Sequence, residues 1–306
     1  MKVLVSGATG FVGKKLIPKL LAHNHEVIVL TRNPLNAKQV LGDKVEAIQW
    51  DDYHKPMDLS EFGHIDGVIN LIGENISSRR WSNEQKKHIY NSRVDSTKNI
   101  FLMLEKSNMK PKVFISTSAT GYYGHRDGKV QVDENSLPGS DFLSKVCIAW
   151  EKAALENKDA VDRLAILRVG VVLGKNGGAM EKMLPIFKLG AGGKLGSGKQ
   201  YMSWIHIDDL VNMYVQLLED ESLSGIFNGV SNYSTSNEEF TKTLGKVLRK
   251  STVFTVPSFA LELAMGEMSS IVLYGANVVP SKFNKERFHY RYPTLELALK
   301  DVVSKV

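Results

Sequence analysis

The stretch that most restricts the fold is SGATGFVG, residues 6–13. It follows the apolar run KVLV without a gap and leads into GKKLIPKLLAHN, whose apolar residues recur at helical spacing. Glycines at 7, 10 and 13 have separate uses in such a strand–turn–helix. Gly7 permits the tight turn, Gly10 lets a diphosphate come up to the main chain, and Gly13 lets the helix pack close to the strand. The first helical turn adds unpaired N–H groups and partial positive charge at the same point. The segment is thereby committed to a strand-first α/β unit with a phosphate-binding turn at the strand's carboxyl end.

The alternation continues. EVIVLTR, VEAIQW, DGVINLIG, PKVFISTSA and RLAILRVGVVLG read as the second to sixth strands. Helical patterns separate most of them, for example at 83–105 and 142–156. Strands so rich in Val, Ile and Leu are buried on both faces, as in a parallel sheet. The result is α/β, a doubly wound parallel sheet (Rossmann). After Gly174 the pattern changes: a glycine-rich stretch carries one helical piece near 180–188, then come SWIHI, a helix at 208–219 and the strand GIFNGVS. From Ser236 the chain is mostly helical, with a basic aromatic segment, RFHYRYP. The expected organisation is a dinucleotide-binding core over 1–175, completed by segments near 202–232, with a smaller C-terminal substrate lobe over 176–201 and 233–306.

Composition narrows the function classes. The 306 residues carry 39 Lys+Arg against 33 Asp+Glu, a formal charge of +6 with no basic block. This suits an anionic small ligand and lacks the dense basic stripe of a nucleic-acid binder. No apolar run approaches the ~18 residues of a membrane span, and MKVLV reads as a strand and not as a signal peptide. Cys147 is the single cysteine, so no intramolecular disulfide or cysteine metal cluster is available. The eight histidines show no H-x-x-x-H spacing, and no metal site is expected. These points suggest a cytoplasmic protein with a small-molecule substrate, no nucleic-acid or membrane partner, and a homodimer left open.

The end of the second strand selects the dinucleotide. An NAD site places Asp or Glu there to bind the ribose 2′-hydroxyl. Here it reads VLTRNP, with Thr31 and Arg32 and no acid. A carboxylate repels a 2′-phosphate, whereas an arginine binds one through its planar fork. NADP(H) is expected over NAD(H).

The glycine turn together with DGVINLIG, STSATGYYG, ILRVGVVLG and SWIHIDDL resembles the extended short-chain dehydrogenase/reductases, the group of nucleotide-sugar epimerases and dehydratases, over nearly the whole chain. NLIGENI, RRW, SRVDST, VCIAWEKAA, LGAGGKLGSGKQYMSWIHIDDL and GEM are similar to its atypical branch labelled "epimerase family protein". The resemblance implies a phosphate loop of Gly7, Thr9, Gly10, Phe11, Val12 and Gly13, and Arg32 beside Thr31 at the 2′-phosphate. It implies Asp51 on the adenine amino group, and Leu71, Ile72 and Gly73 along adenosine and ribose. Arg93, where an asparagine is usual, would reach the diphosphate from the helix after strand four. Asp51 is equally a turn former in WDDY, and Arg93 equally a surface helix charge.

Working members of that group pair a Ser or Thr at the end of strand five with Tyr-x-x-x-Lys on the next helix. The tyrosine moves a proton, the lysine lowers its pKa and holds the ribose, and the serine orients the substrate oxygen. STSATGYYG supplies Ser118. The helix reads DFLSKVCIAWEKAA, and aligning on Glu151 puts Leu143 at the tyrosine position and Cys147 at the lysine position. A register two residues earlier offers Asp141 and Lys145 instead. Tyr122 and Tyr123 are the other candidate proton carriers. On the substrate side, GENISSRRWSNEQ brings Glu74, Asn75 and Trp81 to the ligand end of the sheet, and KQYMSWIHIDDL brings Tyr201 and Trp204. Two functions fit: an NADP(H)-binding oxidoreductase or epimerase-like protein, or a non-catalytic dinucleotide-binding sensor or regulator, for example one related to cell division, that lacks the Tyr–Lys pair.

Overall fold

In the computed structural model, which describes residues 1–284 and 287–304, seven parallel strands form one sheet. They are β1 (Lys2–Ser6), β2 (Glu26–Thr31), β3 (Val45–Gln49), β4 (Gly67–Asn70), β5 (Val113–Ala119), β6 (Arg163–Val169) and β7 (Gly225–Gly229). Their order is β7-β6-β5-β4-β1-β2-β3. The winding reverses between β1 and β4, which opens a crevice at the carboxyl ends of those two strands.

Alternate side chains of each strand enter opposite layers. On one face Val3, Val5, Val29 and Ile115 pack against α1 (Gly13–Ala22), through Leu16 and Leu20, and against the helix Ile207–Glu219, through Leu210 and Tyr214. On the other face Leu4, Ile28, Val68 and Phe114 meet Ile100, Phe101 and Leu104 of the helix Asn83–Lys106 and Ala154 of the helix Phe142–Leu155. Each such buried aliphatic or Phe side chain contributes about 1.5–3 kcal/mol. The two layers therefore hold the strand ends, and the loops on them, in fixed positions.

The apolar run RLAILRVGVVLG is two strands and not one. β6 ends at Val169, and Val171–Leu173 leaves the sheet to pair with Trp204–His206. Gly170 makes the hand-over: its N–H donates to the Gly229 carbonyl, while Val171 donates to Ser203. A Cβ at Gly170 would lie 2.5 Å from the Ser203 oxygen, so only glycine lets the backbones cross there.

The remaining elements build over the carboxyl edge. The helices Gly178–Lys188, Asn237–Leu248 and Leu295–Ser304 enclose Trp204, Phe240, Leu244 and Leu299. The short strand Asn277–Val278 pairs with Gln131–Val132 and ties this part to the loop after β5. Among the described residues no helix is long and apolar enough to cross a membrane.

Candidate functional site

The glycine turn closes as its spacing demands. Gly7 has φ +71°, and a Cβ on it would lie 2.8 Å from the carbonyl carbon of Leu71. Gly13 is packed harder, with a Cβ position 2.3 Å from the Ala8 oxygen. Gly10 differs: it is exposed, and a Cβ there would meet only the Gly7 oxygen, at 3.1 Å. Its open side is the side a phosphate needs. Val12 caps α1 without a side-chain acceptor, and the first turn holds no acid, so the helix presents its N–H groups and dipole unopposed. Thr9 is half-buried in the turn. The Phe11 ring turns away to fill a pocket left by Gly174, Gly177 and Gly178, so Phe11 shapes the loop by packing.

At the end of β2, Arg32 is exposed, and no described carboxylate forms an ion pair with it. The Thr31 hydroxyl accepts from the Asn33 N–H, fixing the turn in which Asn33 caps the next helix through Asn36. Asp51 is exposed and accepts from Gln49 at 3.0 and 2.9 Å. Tyr53, which the sequence did not single out, packs at a tilt against His54, ring centroids 4.3 Å apart. Burial pushes its phenol pKa up, as do Asp95, Glu74 and Asp52, while Arg32 pulls it down. Tyr53 thus feels both Arg32 and the carboxylates around it.

Leu71 and Ile72 continue β4 as half-buried residues, with Leu71 donating to Ser6 and Ile72 to the Asn70 side chain. Gly73 is bare because Arg93 lies on it: a Cβ would be 3.0 Å from the guanidinium carbon. Arg93 donates to the Ile89 and Glu74 carbonyls at 2.9 and 3.0 Å and sits 5.2 Å from the Trp150 ring.

At the end of β5 the hydroxyls are engaged. Ser118, 1% exposed, donates to Glu151 at 2.7 Å. Arg168 clamps the same carboxylate with Nε and Nη2, each at 2.8 Å. Its Nη1 donates to the Tyr123 hydroxyl, which donates onward to Asn228 at 2.7 Å. Tyr123 is fully buried, and burial pushes its phenol up to about 12 against the pull of Arg168. That enclosure removes Tyr123 as a proton carrier toward a substrate. Tyr122 keeps a half-buried ring, with the Arg168 guanidinium 3.4 Å from its centroid.

The helix α4 (Phe142–Leu155, after α2 Pro34–Leu41 and α3 Asn83–Lys106) presents Leu143 and Cys147 to Gly121, at 3.5 and 3.6 Å from its Cβ position. The shifted pair does not face the site: Asp141 caps the helix through Ser144, and Lys145 is exposed. Burial, then Glu151, pushes the Cys147 thiol up to about 12, with Arg93 opposing.

The substrate-side residues divide. Glu74 accepts from Ser78, Asn75 accepts from Ser77, and Trp81 donates to Ile76 while its ring meets Phe142 edge-on at 5.1 Å. This loop stands beside Phe142. The Tyr201 ring covers Gly128, where a Cβ would lie 2.1 Å from it. Trp204 is 1% exposed, packed with Phe240 and Leu244. Pairing with Val171–Leu173 turns its indole into the C-terminal core, beside a hollow lined also by Tyr233, Thr235 and Pro293. Sequence reasoning missed Arg168 as a buried partner of Glu151; a charge inside the apolar run RLAILRVG was its one visible sign. Among the described residues no cluster of His, Cys, Asp or Glu could hold a metal.

Comparison with known proteins agrees with this geometry. Residues 3–228 match the NAD dependent epimerase/dehydratase family, and residues 256–302 match a domain of unknown function, DUF1731. The chain is 39% identical to the Arabidopsis thaliana protein "Epimerase family protein SDR39U1 homolog, chloroplastic", over 99% of this chain and 87% of that one. It is 35% identical to the Homo sapiens "Epimerase family protein SDR39U1", over 99% and 100%. The crystal structure of human epimerase family protein SDR39U1 (isoform2) with NADPH has a TM-score of 0.89 to it at 34% identity, covering 100% of both chains. The phosphate-loop geometry, the seven-stranded sheet and these matches place the chain in the NAD dependent epimerase/dehydratase family.

Proposed function

We propose that the protein binds NADP(H) and works as an oxidoreductase or epimerase-like enzyme on a small molecule. Arg32 carries the choice of cofactor: an exposed guanidinium ends β2, where an NAD site would place an acid. The NADPH named with the human SDR39U1 structure supports the same reading. The chain fits the group: Gly10 leaves open backbone at the head of α1, and the first turn offers N–H donors with no acid against them.

When bound, the cofactor supplies hydride-transfer chemistry. The chain's own residues do the rest. Gly7 to Gly13 hold the diphosphate, Arg32 the 2′-phosphate, and Leu71 to Gly73 line the cofactor beyond the loop. Tyr122, Leu143, Phe142 and Trp81 border the substrate space. Among the described residues the Tyr122 hydroxyl has no hydrogen-bond partner, so it is the group that would hold or move a proton at the substrate oxygen.

A calorimetric titration with NADPH and NADH tests the reading, followed by a carbonyl panel. The expected result is NADPH binding at least tenfold tighter than NADH. Equal affinities overturn the role of Arg32, and no binding of either overturns the whole reading. A second reading, a non-catalytic dinucleotide sensor, is favoured by Leu143 and Cys147 facing Gly121, where the Tyr–Lys pair would stand. NADPH binding without turnover on any carbonyl would select it.

A further inference from the structure

Arg93 is a half-buried cation with no ion-pair partner among the described residues. The one hydrogen bond it makes to Glu74 is to the main-chain carbonyl, and the Glu74 carboxylate acts on it from beyond ion-pair distance. A guanidinium has five N–H donors, and among the described residues only Ile89 and Glu74 accept from it. Burial pulls its pKa down, with Cys147 and Glu74 opposing. A cation taken out of water and left part-satisfied is costly unless a ligand completes it. Two carbonyls and the Trp150 ring hold the group in place, so it is set for that ligand beforehand.

The sheet order says which part of a dinucleotide reaches it. Arg32 lies at the end of β2 and the glycine turn at the end of β1, with β4 and β5 next in line. A cofactor with its adenosine phosphate at Arg32 and its diphosphate at Gly10 must run on over β4 toward β5. Gly7 touches Leu71, at the start of the segment leaving β4. Arg93 lies farther along that segment, on Gly73, and faces Cys147 and Trp150 of α4, the helix whose Cys147 touches the turn after β5. It thus stands on the β5 side of the glycine turn, between the segment leaving β4 and α4.

We infer that Arg93 holds the ribose on the nicotinamide side of the cofactor, not the diphosphate, by donating from its unused N–H groups to the ribose hydroxyls. The inference rests on the dinucleotide reading given above. It also explains how the site keeps a cation beside the second ribose although Cys147 stands where the resemblance calls for a lysine. The positive group comes from α3 and not from α4.

Three ligands of increasing length separate the contacts. 2′-Phosphoadenosine 5′-diphosphate ends at the diphosphate, 2′-phospho-ADP-ribose adds the second ribose, and NADPH adds the dihydronicotinamide. Each is titrated calorimetrically into wild type and Arg93→Met, and the melting temperature of each protein is recorded with and without ligand. The substitution is expected to leave the first affinity within twofold and to weaken the second and third at least tenfold. The ligand-free melting temperature should hold or rise, because a half-buried cation without an ion-pair partner is gone. Equal weakening of all three ligands assigns Arg93 to the diphosphate or the fold and overturns the inference, as does no weakening of any. If Arg93→Met fails to fold, Arg93→Gln carries the same comparison, with the same expected and overturning results. Wild type that binds none of the three overturns the dinucleotide reading itself, a different outcome from normal wild-type binding with an unselective variant.

Discussion

Ser118 gives its hydroxyl hydrogen to Glu151 across 2.7 Å, and that carboxylate is already clamped by two N–H groups of Arg168. The hydroxyl that would orient a substrate oxygen is thus turned into a buried ionic network. This network joins α4 to β5, β6 and, through Tyr123 and Asn228, β7. It fixes the floor of the site.

The first prediction concerns that floor. Glu151→Gln removes one charge of a buried pair and leaves Arg168 uncompensated, which costs about 3–5 kcal/mol. Ser118→Ala removes one hydrogen bond to a charged group, worth about 1.5–3 kcal/mol. Urea unfolding of the two variants should therefore rank them, with Glu151→Gln the weaker. Equal midpoints would show that the pair does not anchor the strands.

The second concerns Arg32. Its replacement by alanine removes the one cation at the end of β2 without touching the glycine turn. NADPH affinity should fall about 10- to 100-fold, a loss of roughly 1.4–2.7 kcal/mol, while NADH affinity stays within about twofold. Calorimetry on both cofactors reads the contrast, and a parallel loss for NADH would show that Arg32 only supports the loop.

What the sequence made legible was local. The glycine turn, the strand–helix alternation and the absence of an acid after β2 each depend on residues within a few positions of one another. Leu143 and Cys147 were legible through the family resemblance, by aligning on Glu151, and helical spacing puts the two on one face. The surroundings of the other candidates needed tertiary information. Trp204 is apolar and near the expected pocket, but its direction is set by pairing with Val171–Leu173. Tyr123 and Tyr122 are neighbours in sequence, and only the positions of Arg168 and Asn228 decide which is enclosed. Gly170 interrupts an unbroken apolar run because the Ser203 backbone passes beside it, which no local pattern encodes.

The third prediction separates two glycines of one motif. Gly13→Ala places a methyl 2.3 Å from the Ala8 backbone oxygen, which no side-chain rotation relieves. Overpacking of this kind costs about 1–3 kcal/mol or more, so the variant should melt lower and also lose NADPH. Gly10→Ala meets only the Gly7 oxygen at 3.1 Å and faces outward. It should keep its melting temperature within about 2 °C, since a ΔΔG well under 1 kcal/mol moves it little, yet bind NADPH at least tenfold more weakly. Normal NADPH affinity in Gly10→Ala would show that the diphosphate lies elsewhere.

The fourth concerns Cys147 and pH. Its folded-state pKa is raised to about 12 from the ordinary 9.0, by burial first and then by Glu151. The folded protein therefore prefers the neutral thiol. The stabilisation this gives is fully present below pH 9 and is lost as pH rises toward 12, because only the unfolded chain ionises readily in that window. One pH unit above the unfolded pKa corresponds to about 1.4 kcal/mol. Wild-type stability relative to Cys147→Ala, measured by urea unfolding, should accordingly fall by about 1.4 kcal/mol between pH 7.5 and pH 10. Other titrating groups, Tyr123 included, act in both proteins and cancel in the difference. At pH 8 the native thiol should resist a disulfide reagent and react only at the rate of unfolding. Fast labelling of the folded protein, or a difference that does not change with pH, would mean that Cys147 is an accessible thiolate in the site and not a neutral wall beside Arg93.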